Sequence, residues 1–219
     1  GKSPPFGQTF TGRTGAVNLC AAGARHGDSE VTEANVGAGA FQMDKAIPNS
    51  DAIFTCLEEV PLLLLVAIVA RLVYDPNHHA VAVIHAGWRG TIGHVPILTM
   101  EAMGNAYGNG RKTVMYTSAR PFIIIPSKLV KLAETFRKAS YIPDQIVGYR
   151  YRADKGIQTP HVNLQQFIVQ DLRQIGVPLQ QITVSPTDSM TAPGCYSYRR
   201  EFGKTGRMAL FAMLRKQKK

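Results

Sequence analysis

Too few cysteines are present to staple this chain. Cys20, Cys56 and Cys195 are an odd number at irregular spacings, which excludes a disulfide framework and a CxxC metal knuckle and fits a reducing, cytoplasmic setting. Long apolar runs are missing too. The longest, residues 60–70, holds eleven residues counting Pro61, against the roughly 18–20 that a membrane helix needs. The opening Gly1-Lys2-Ser3-Pro4-Pro5 has no basic start, apolar stretch or small-residue cleavage site, so the expectation is a soluble, mature protein. Acidic residues are sparse as well: 15 Asp and Glu against 25 Lys and Arg give a net charge of +10, which favours an anionic partner. What is there in quantity is hydrophobic, 45% of 219 residues. That composition predicts one ordinary domain with a sizeable core that needs no staples.

The charge is unevenly spread. Residues 1–110 carry 6 Lys/Arg against 9 Asp/Glu, a net −3, and residues 111–219 carry 19 against 6, a net +13. The last stretch alone holds Arg199, Arg200, Lys204, Arg207, Arg215, Lys216, Lys218 and Lys219 against Glu201. A solvated basic face and tail accounts for the final residues. Arg199, Arg200 and Arg207 are candidate groups for binding a small anion. The basic residues come without interleaved exposed aromatics, so no specific nucleic-acid module is expected, and no membrane partner.

Periodicity places the elements coarsely. Residues 1–50, rich in Gly, Ala and Thr, are expected to form short strands and loops. Residues 51–56, 60–73 and 79–85 read as strands, the second apolar almost throughout, as a strand covered on both faces would be. Asp75-Pro76-Asn77-His78 is a turn signal that makes the last two neighbours. Apolar residues at 92, 95, 98, 102 and 106 predict a helix over 91–107 ending at Gly108, with Pro96 at odds with its start. Further on, 112–116 reads as a strand, 127–139 as a helix capped by Ser127, and 162–175 as a helix with Gly176 beyond its end. Residues 179–185 and 205–214 read as closing strands. Irregular alternation of strands and helices predicts an α+β domain with mixed sheets flanked by helices, not a doubly wound fold.

Several motifs fail on inspection. Gly203-Lys204-Thr205 resembles the end of a P-loop, but Tyr198 stands where its first glycine is needed; Gly37-Ala38-Gly39 lacks the third glycine of a dinucleotide fingerprint. No HExxH, GxSxG or CxxC occurs. His78 and His79 fall on the turn, and His26, His94 and His161 stand alone, as cap, surface or core-edge residues do.

One run carries chemistry: Ala80-Val81-Ala82-Val83-Ile84-His85-Ala86-Gly87-Trp88-Arg89-Gly90-Thr91. A buried strand ends on an imidazole, two glycines permit close approach, and a helix begins with its amides and an arginine. His85 is placed to act as ligand or base, and an anion beside Arg89 would be favoured by the roughly half charge at a helix N-terminus. The alternative is a strand-end histidine that satisfies a local hydrogen bond.

The hexapeptide from His85 to Gly90 resembles the HAGWRG signature of the laccase-domain family, also called YfiH-like or multicopper polyphenol oxidase. Residues 51–55 resemble its "DAxxT", Tyr74-Asp75-Pro76 its "YDP" turn, and Ser197-Tyr198-Arg199-Arg200 with Thr205-Gly206-Arg207-Met208-Ala209 its "SYRR…TGRMA". The likeness extends over about residues 42–214. It implies an α/β/β/α arrangement and an enzyme acting on purine nucleosides: phosphorolysis of adenosine, inosine and methylthioadenosine, and deamination of adenosine. Older descriptions of the family imply copper-dependent polyphenol oxidation instead. The partners implied are a small nucleoside and phosphate, with Arg89, Arg199, Arg200 and Arg207 as anion-binding groups able to make bidentate hydrogen bonds. The cofactor implied is zinc, or copper in the older description, held by His, Cys and His with one position open.

This chain departs from the pattern at the ligands. The first-ligand "QxH" segment aligns with Gln42-Met43-Asp44, which puts Asp44 where histidine belongs, and the "ADC" segment aligns with Val66-Ala67-Ile68, which puts Ile68 at the cysteine. His85 is the one family ligand retained. Asp44 is able to ligate zinc through oxygen and Ile68 is unable to ligate anything. The expectation remains an enzyme acting on purine nucleosides through a zinc site that contains His85, completed by another side chain such as Cys56 or Cys195; the alternative is a diverged member that has lost its metal and keeps the fold as a catalytically inactive binding domain.

Overall fold

A computed structural model describes residues 20–21, 28–39, 46–66, 70–108, 115–120, 122–124, 130–152, 156–188, 196, 206 and 208–217. In chain order these form β1 (Cys20–Ala21), β2 (Asp28–Glu30), β3 (Ala52–Thr55), β4 (Leu62–Val66), β5 (Ala70–Asp75), β6 (Ala80–His85), α1 (Trp88–Ile92) and α2 (Val95–Tyr107). There follow β7 (Met115–Arg120), β8 (Phe122–Ile124), α3 (Val130–Ala139), α4 (Pro143–Ile146), β9 (Val147–Arg152), β10 (Ile157–Asn163), α5 (Leu164–Gln174), β11 (Ile182–Asp188) and β12 (Met208–Ala212).

The apolar strands assemble as a six-stranded mixed sheet in the order β11-β7-β5-β6-β3-β2. Its outer pairs β11–β7 and β2–β3 are parallel and its inner pairs antiparallel. The period of two sorts its residues between two cores. Ala52, Phe54, Val73, Ala82 and Ile84 face Met100 and Met103 of α2 and Ile168 and Leu172 of α5. Ile53, Val81 and Val83 face Leu62 and Leu64 of β4 and Ala212 of β12, within a three-stranded sheet β1-β4-β12. A third sheet, β8-β10-β9, packs with α3 through Phe136, Val147, Val162 and Phe167. The α+β class and its mixed sheets are as the periodicity predicts.

Several boundaries differ from the sequence reading, each for a physical reason. The apolar run 60–73 is two strands, because β4 pairs with β12 in one sheet and β5 with β6 in another; both are buried, so no polar residue marks the change of sheet. The helix expected over 91–107 is two, α1 and α2, broken at Gly93 and His94, whose φ of 56° is left-handed. Pro96 falls in the first turn of α2, where its missing N–H costs nothing. Gly108, with φ 75°, ends α2 as expected. The segment 162–175 begins as the end of β10, and Asn163 caps α5 by accepting a hydrogen bond from the Gln166 amide at 3.0 Å. A 3-10 turn, Leu179–Gln181, precedes β11. The strand expected at 112–116 lies later, as β7, and Ser127 lies outside the described residues. On β9, Tyr149 and Tyr151 are exposed and alternate in sequence with Arg150 and Arg152, so basic residues and exposed aromatics do interleave there. No described helix is long and apolar enough to cross a membrane.

The β5–β6 turn is as the sequence predicts. Asp75 has no exposed surface; its carboxylate accepts from the Asn77 amide at 2.9 Å and lies 2.7 Å from His78 Nδ1. His79 stands 3.3 Å from the Tyr74 hydroxyl and 2.9 Å from the Arg215 carbonyl oxygen. Both histidines serve the turn and its neighbours.

Candidate functional site

His85 is the last residue of β6, where the central sheet gives way to α1. Two neighbouring strands hold it. On the β3 side, its backbone amide donates to the Asp51 carbonyl oxygen at 2.7 Å, and its Nδ1 lies 3.3 Å from Asp51 Oδ1. The Asp51 side chain is 7% exposed and that of His85 25%. A carboxylate only accepts, so the contact makes Nδ1 the donor; in the neutral ring the lone pair is then on Nε2. Nε2 sits beside Gly87: a Cβ built there would lie 3.9 Å from it.

On the β5 side the link runs through the next residue. The guanidinium of Arg71 donates from Nη1 to the Ala86 carbonyl oxygen at 2.7 Å, and Thr91 Oγ1 donates to the same oxygen at 3.1 Å. The Thr91 amide donates to the Gly87 carbonyl oxygen at 2.8 Å and closes α1. Gly90 is required by space: a Cβ there would stand 3.3 Å from Ala86 Cβ and 3.5 Å from the His85 carbonyl oxygen. The signature thus specifies one tight corner, with glycine where the helix presses on the strand end.

Arg89 is exposed, its guanidinium carbon 4.4 Å from the centroid of the Trp88 ring, a cation-π contact. Trp88 itself packs against the α3 core of Leu132, Phe136 and Phe167. The expected half charge at a helix start is corrected here. The helix that follows His85 has five residues, and the long one begins only at Val95, so the larger dipole belongs to His94 and not to His85.

Of the other expected site residues, Asp44, Ile68, Arg199, Arg200 and Arg207, with Cys195, lie outside the described residues. Cys56 does not complete a site at His85. It follows β3, whose register sets Ala52 opposite Ile84 and Thr55 opposite Val81; Cys56 is therefore at the far end of β6. There it neighbours Tyr107, whose hydroxyl burial, with Glu30 and Cys56 beside it, pushes far above its ordinary range. Two residues of the corner escaped the sequence reading. Asp51 was visible as an acid opening an apolar strand, and Arg71 as the only charge between residues 60 and 74.

A strand-end imidazole oriented by a buried carboxylate, in a corner closed by glycine and tryptophan, on a mixed sheet sandwiched by helices and a second sheet, defines a class of protein that comparison identifies. The family model of the multi-copper polyphenol oxidoreductase laccase matches residues 12–215, and the chain belongs to that laccase-domain family. It is similar to the purine nucleoside phosphorylase YlmD of Bacillus subtilis, 28% identical over 186 residues, 83% of this chain and 65% of that protein. A purine nucleoside phosphorylase of Bacteroides thetaiotaomicron is 27% identical over 158 residues, 71% of this chain and 57% of that one. This chain thus spans about two thirds or less of the length of these relatives. Among solved structures, the Bacillus licheniformis hypothetical protein YfiH superposes with a TM-score of 0.79 at 24% identity, covering 93% of this chain and 76% of that one. YlmD from Geobacillus stearothermophilus gives 0.77 at 22%, covering 92% and 75%. Both share the fold.

Of the ligands that the family likeness implies for a zinc centre, His85 is the one that lies among the described residues. Nε2 of His85 is a competent ligand, with its tautomer fixed by Asp51 as in carboxylate–histidine–metal sites. Asp44 would add a carboxylate, but Ile68 offers only hydrocarbon, and a catalytic zinc takes three protein ligands. No group of three His, Cys, Asp or Glu side chains able to hold a metal occurs among the described residues.

Proposed function

We propose that this protein acts on purine nucleosides at the β6–α1 corner, with phosphate-dependent cleavage of the bond between base and ribose as its reaction. The observation that carries the reading is His85 at a strand end, oriented by Asp51 with Nε2 free to accept a hydrogen bond; the names borne by the relatives support it. An oxygen of hydrogen phosphate forms a bond to ribose C1′ as the bond from C1′ to the purine nitrogen breaks, and the proton given up by the phosphate hydroxyl ends on the leaving base. His85 Nε2 accepts a hydrogen bond from a phosphate hydroxyl or a water. Arg89, and Arg199, Arg200 and Arg207 of the basic C-terminal segment, hold the phosphate oxygens by paired hydrogen bonds. Adenosine, inosine and methylthioadenosine are the proposed substrates, and hydrolytic removal of the adenosine 6-amino group is a proposed second activity. Zinc, on this reading, binds weakly, because His85 and Asp44 supply two donors and Ile68 none. Copper-dependent phenol oxidation has less support, since a blue-copper type centre needs sulfur beside imidazole and none is placed at His85 among the described residues. The protein is proposed to work in the cytoplasm.

A second reading, a nucleoside-binding domain without turnover, is favoured by Ile68 at the position of a metal ligand. One experiment separates them: release of hypoxanthine from inosine and adenine from adenosine, with and without phosphate and zinc, beside metal analysis. Phosphate-dependent release that is lost in His85→Ala supports the enzyme. Nucleoside binding by calorimetry with no release under any condition supports the binding domain, and neither binding nor release sinks both.

A further inference from the structure

Arg71 has no exposed surface at all. It lies on β5 in register with Ile84 of β6 and so shares the helix-facing side of the central sheet with Val73, Ala82 and Ile84, members of the core beneath α2 and α5. A guanidinium cannot shed its charge in a protein, and placing one in a core costs far more than placing an alkyl chain of the same volume there. Core filling alone would therefore be served better by leucine or methionine. What the arginine supplies and they lack is a set of directed donors, and one of these, Nη1, reaches the carbonyl oxygen of Ala86, one residue beyond His85, at 2.7 Å.

We propose that Arg71 is a positioning residue of the site, acting through the Ala86 carbonyl to set the direction in which β6 leaves the sheet, and with it the aim of His85 and the start of α1. Asp51 fixes the imidazole from one flank and Arg71 the peptide that follows it from the other. Thr91 shares the same acceptor from within α1, so the carbonyl is the point at which strand, helix and core cation meet. The proposal rests on the nucleoside reading only for its activity measurement.

The test compares Arg71→Met, which keeps the volume and loses every donor, with Arg71→Lys, which keeps one. In folded Arg71→Met protein kcat for base release is expected to fall about 100-fold, as small misplacements of reacting groups do, with the melting temperature measured beside it. Arg71→Lys recovers part of that loss. The ring nitrogens of His85, followed by ¹⁵N NMR, shift in the methionine variant and move back toward wild type in the lysine variant. A stable Arg71→Met protein with wild-type kcat and an unshifted His85 ring overturns the proposal. If Arg71→Met does not fold, Thr91→Val, which removes the other donor to Ala86, is read against Arg71→Lys in the same way; an unchanged His85 ring in both overturns it. Absence of turnover in the wild type defeats the nucleoside reading alone, since the NMR comparison needs no substrate.

Discussion

His161 lies so close over Gly148 that a Cβ at that glycine would stand 2.8 Å from the ring. Gly148 of β9 pairs with His161 of β10 directly across the strands, so the contact is built into the register. Gly148→Ala is expected to lower stability by about 1–3 kcal/mol, the range of overpacking in a filled site, read as a drop in melting temperature. An unchanged melting temperature would show that the ring swings aside. At this scale the sequence was legible where residue types are rare and illegible where geometry chooses among common ones. The His85–Gly90 hexapeptide announced the corner outright. Gly148, one glycine among 20, carried no sign that a histidine 13 residues further on would occupy its Cβ position. Arg71 did carry one, as a lone charge in an apolar run, yet a strand pattern alone does not tell which carbonyl such a side chain will reach.

At the scale of elements, the break between α1 and α2 is stabilised from outside. His94, left-handed at φ 56°, places its Nδ1 2.7 Å from Asp171 Oδ2 on α5 and its ring 5.9 Å from that of Phe167. Burial raises the Asp171 carboxyl above its ordinary value of 3.8, and the hydrogen bond and charge of His94 draw it partly back. An acid whose value is raised on folding contributes most below its unfolded value and loses that contribution as pH climbs through the folded one. Wild-type stability minus that of Asp171→Asn, measured by urea unfolding, should therefore decline as pH rises from about 3.8. His94→Ala leaves burial unopposed and should move the decline to higher pH. A difference that grows with pH would reverse the assignment. Helix periodicity across 92, 95, 98, 102 and 106 was legible, but the break was not, because the ion pair that holds it joins residues 77 apart. The division of 60–73 was hidden for a related reason: both halves are apolar, and only their partners differ.

For the whole molecule, β6 and its neighbours present one face to α2 and α5 and the other to β4 and β12, so the two cores share a wall and neither persists without it. Trp88 extends the connection, standing at the end of β6 and packing into the α3 core. Denaturant unfolding is accordingly expected to be one transition, with coincident midpoints by far-ultraviolet circular dichroism and by tryptophan fluorescence. Separate midpoints would mean that the α3 and β8-β10-β9 unit melts on its own. Fold class and the central hairpin could be read from composition and periodicity, since both rest on local alternation and one turn. The assignment of strands to three sheets could not, because it is settled by pairings such as β4 with β12 across more than a hundred residues.

Trp88 is the single tryptophan of the chain, and it lies under the cationic head of Arg89 at 4.4 Å. The protein's entire indole emission thus originates three residues from His85. An anion that draws Arg89 off the ring changes the polarity above the fluorophore, so a phosphate titration is open to direct optical readout, with no label and no second tryptophan in the chain.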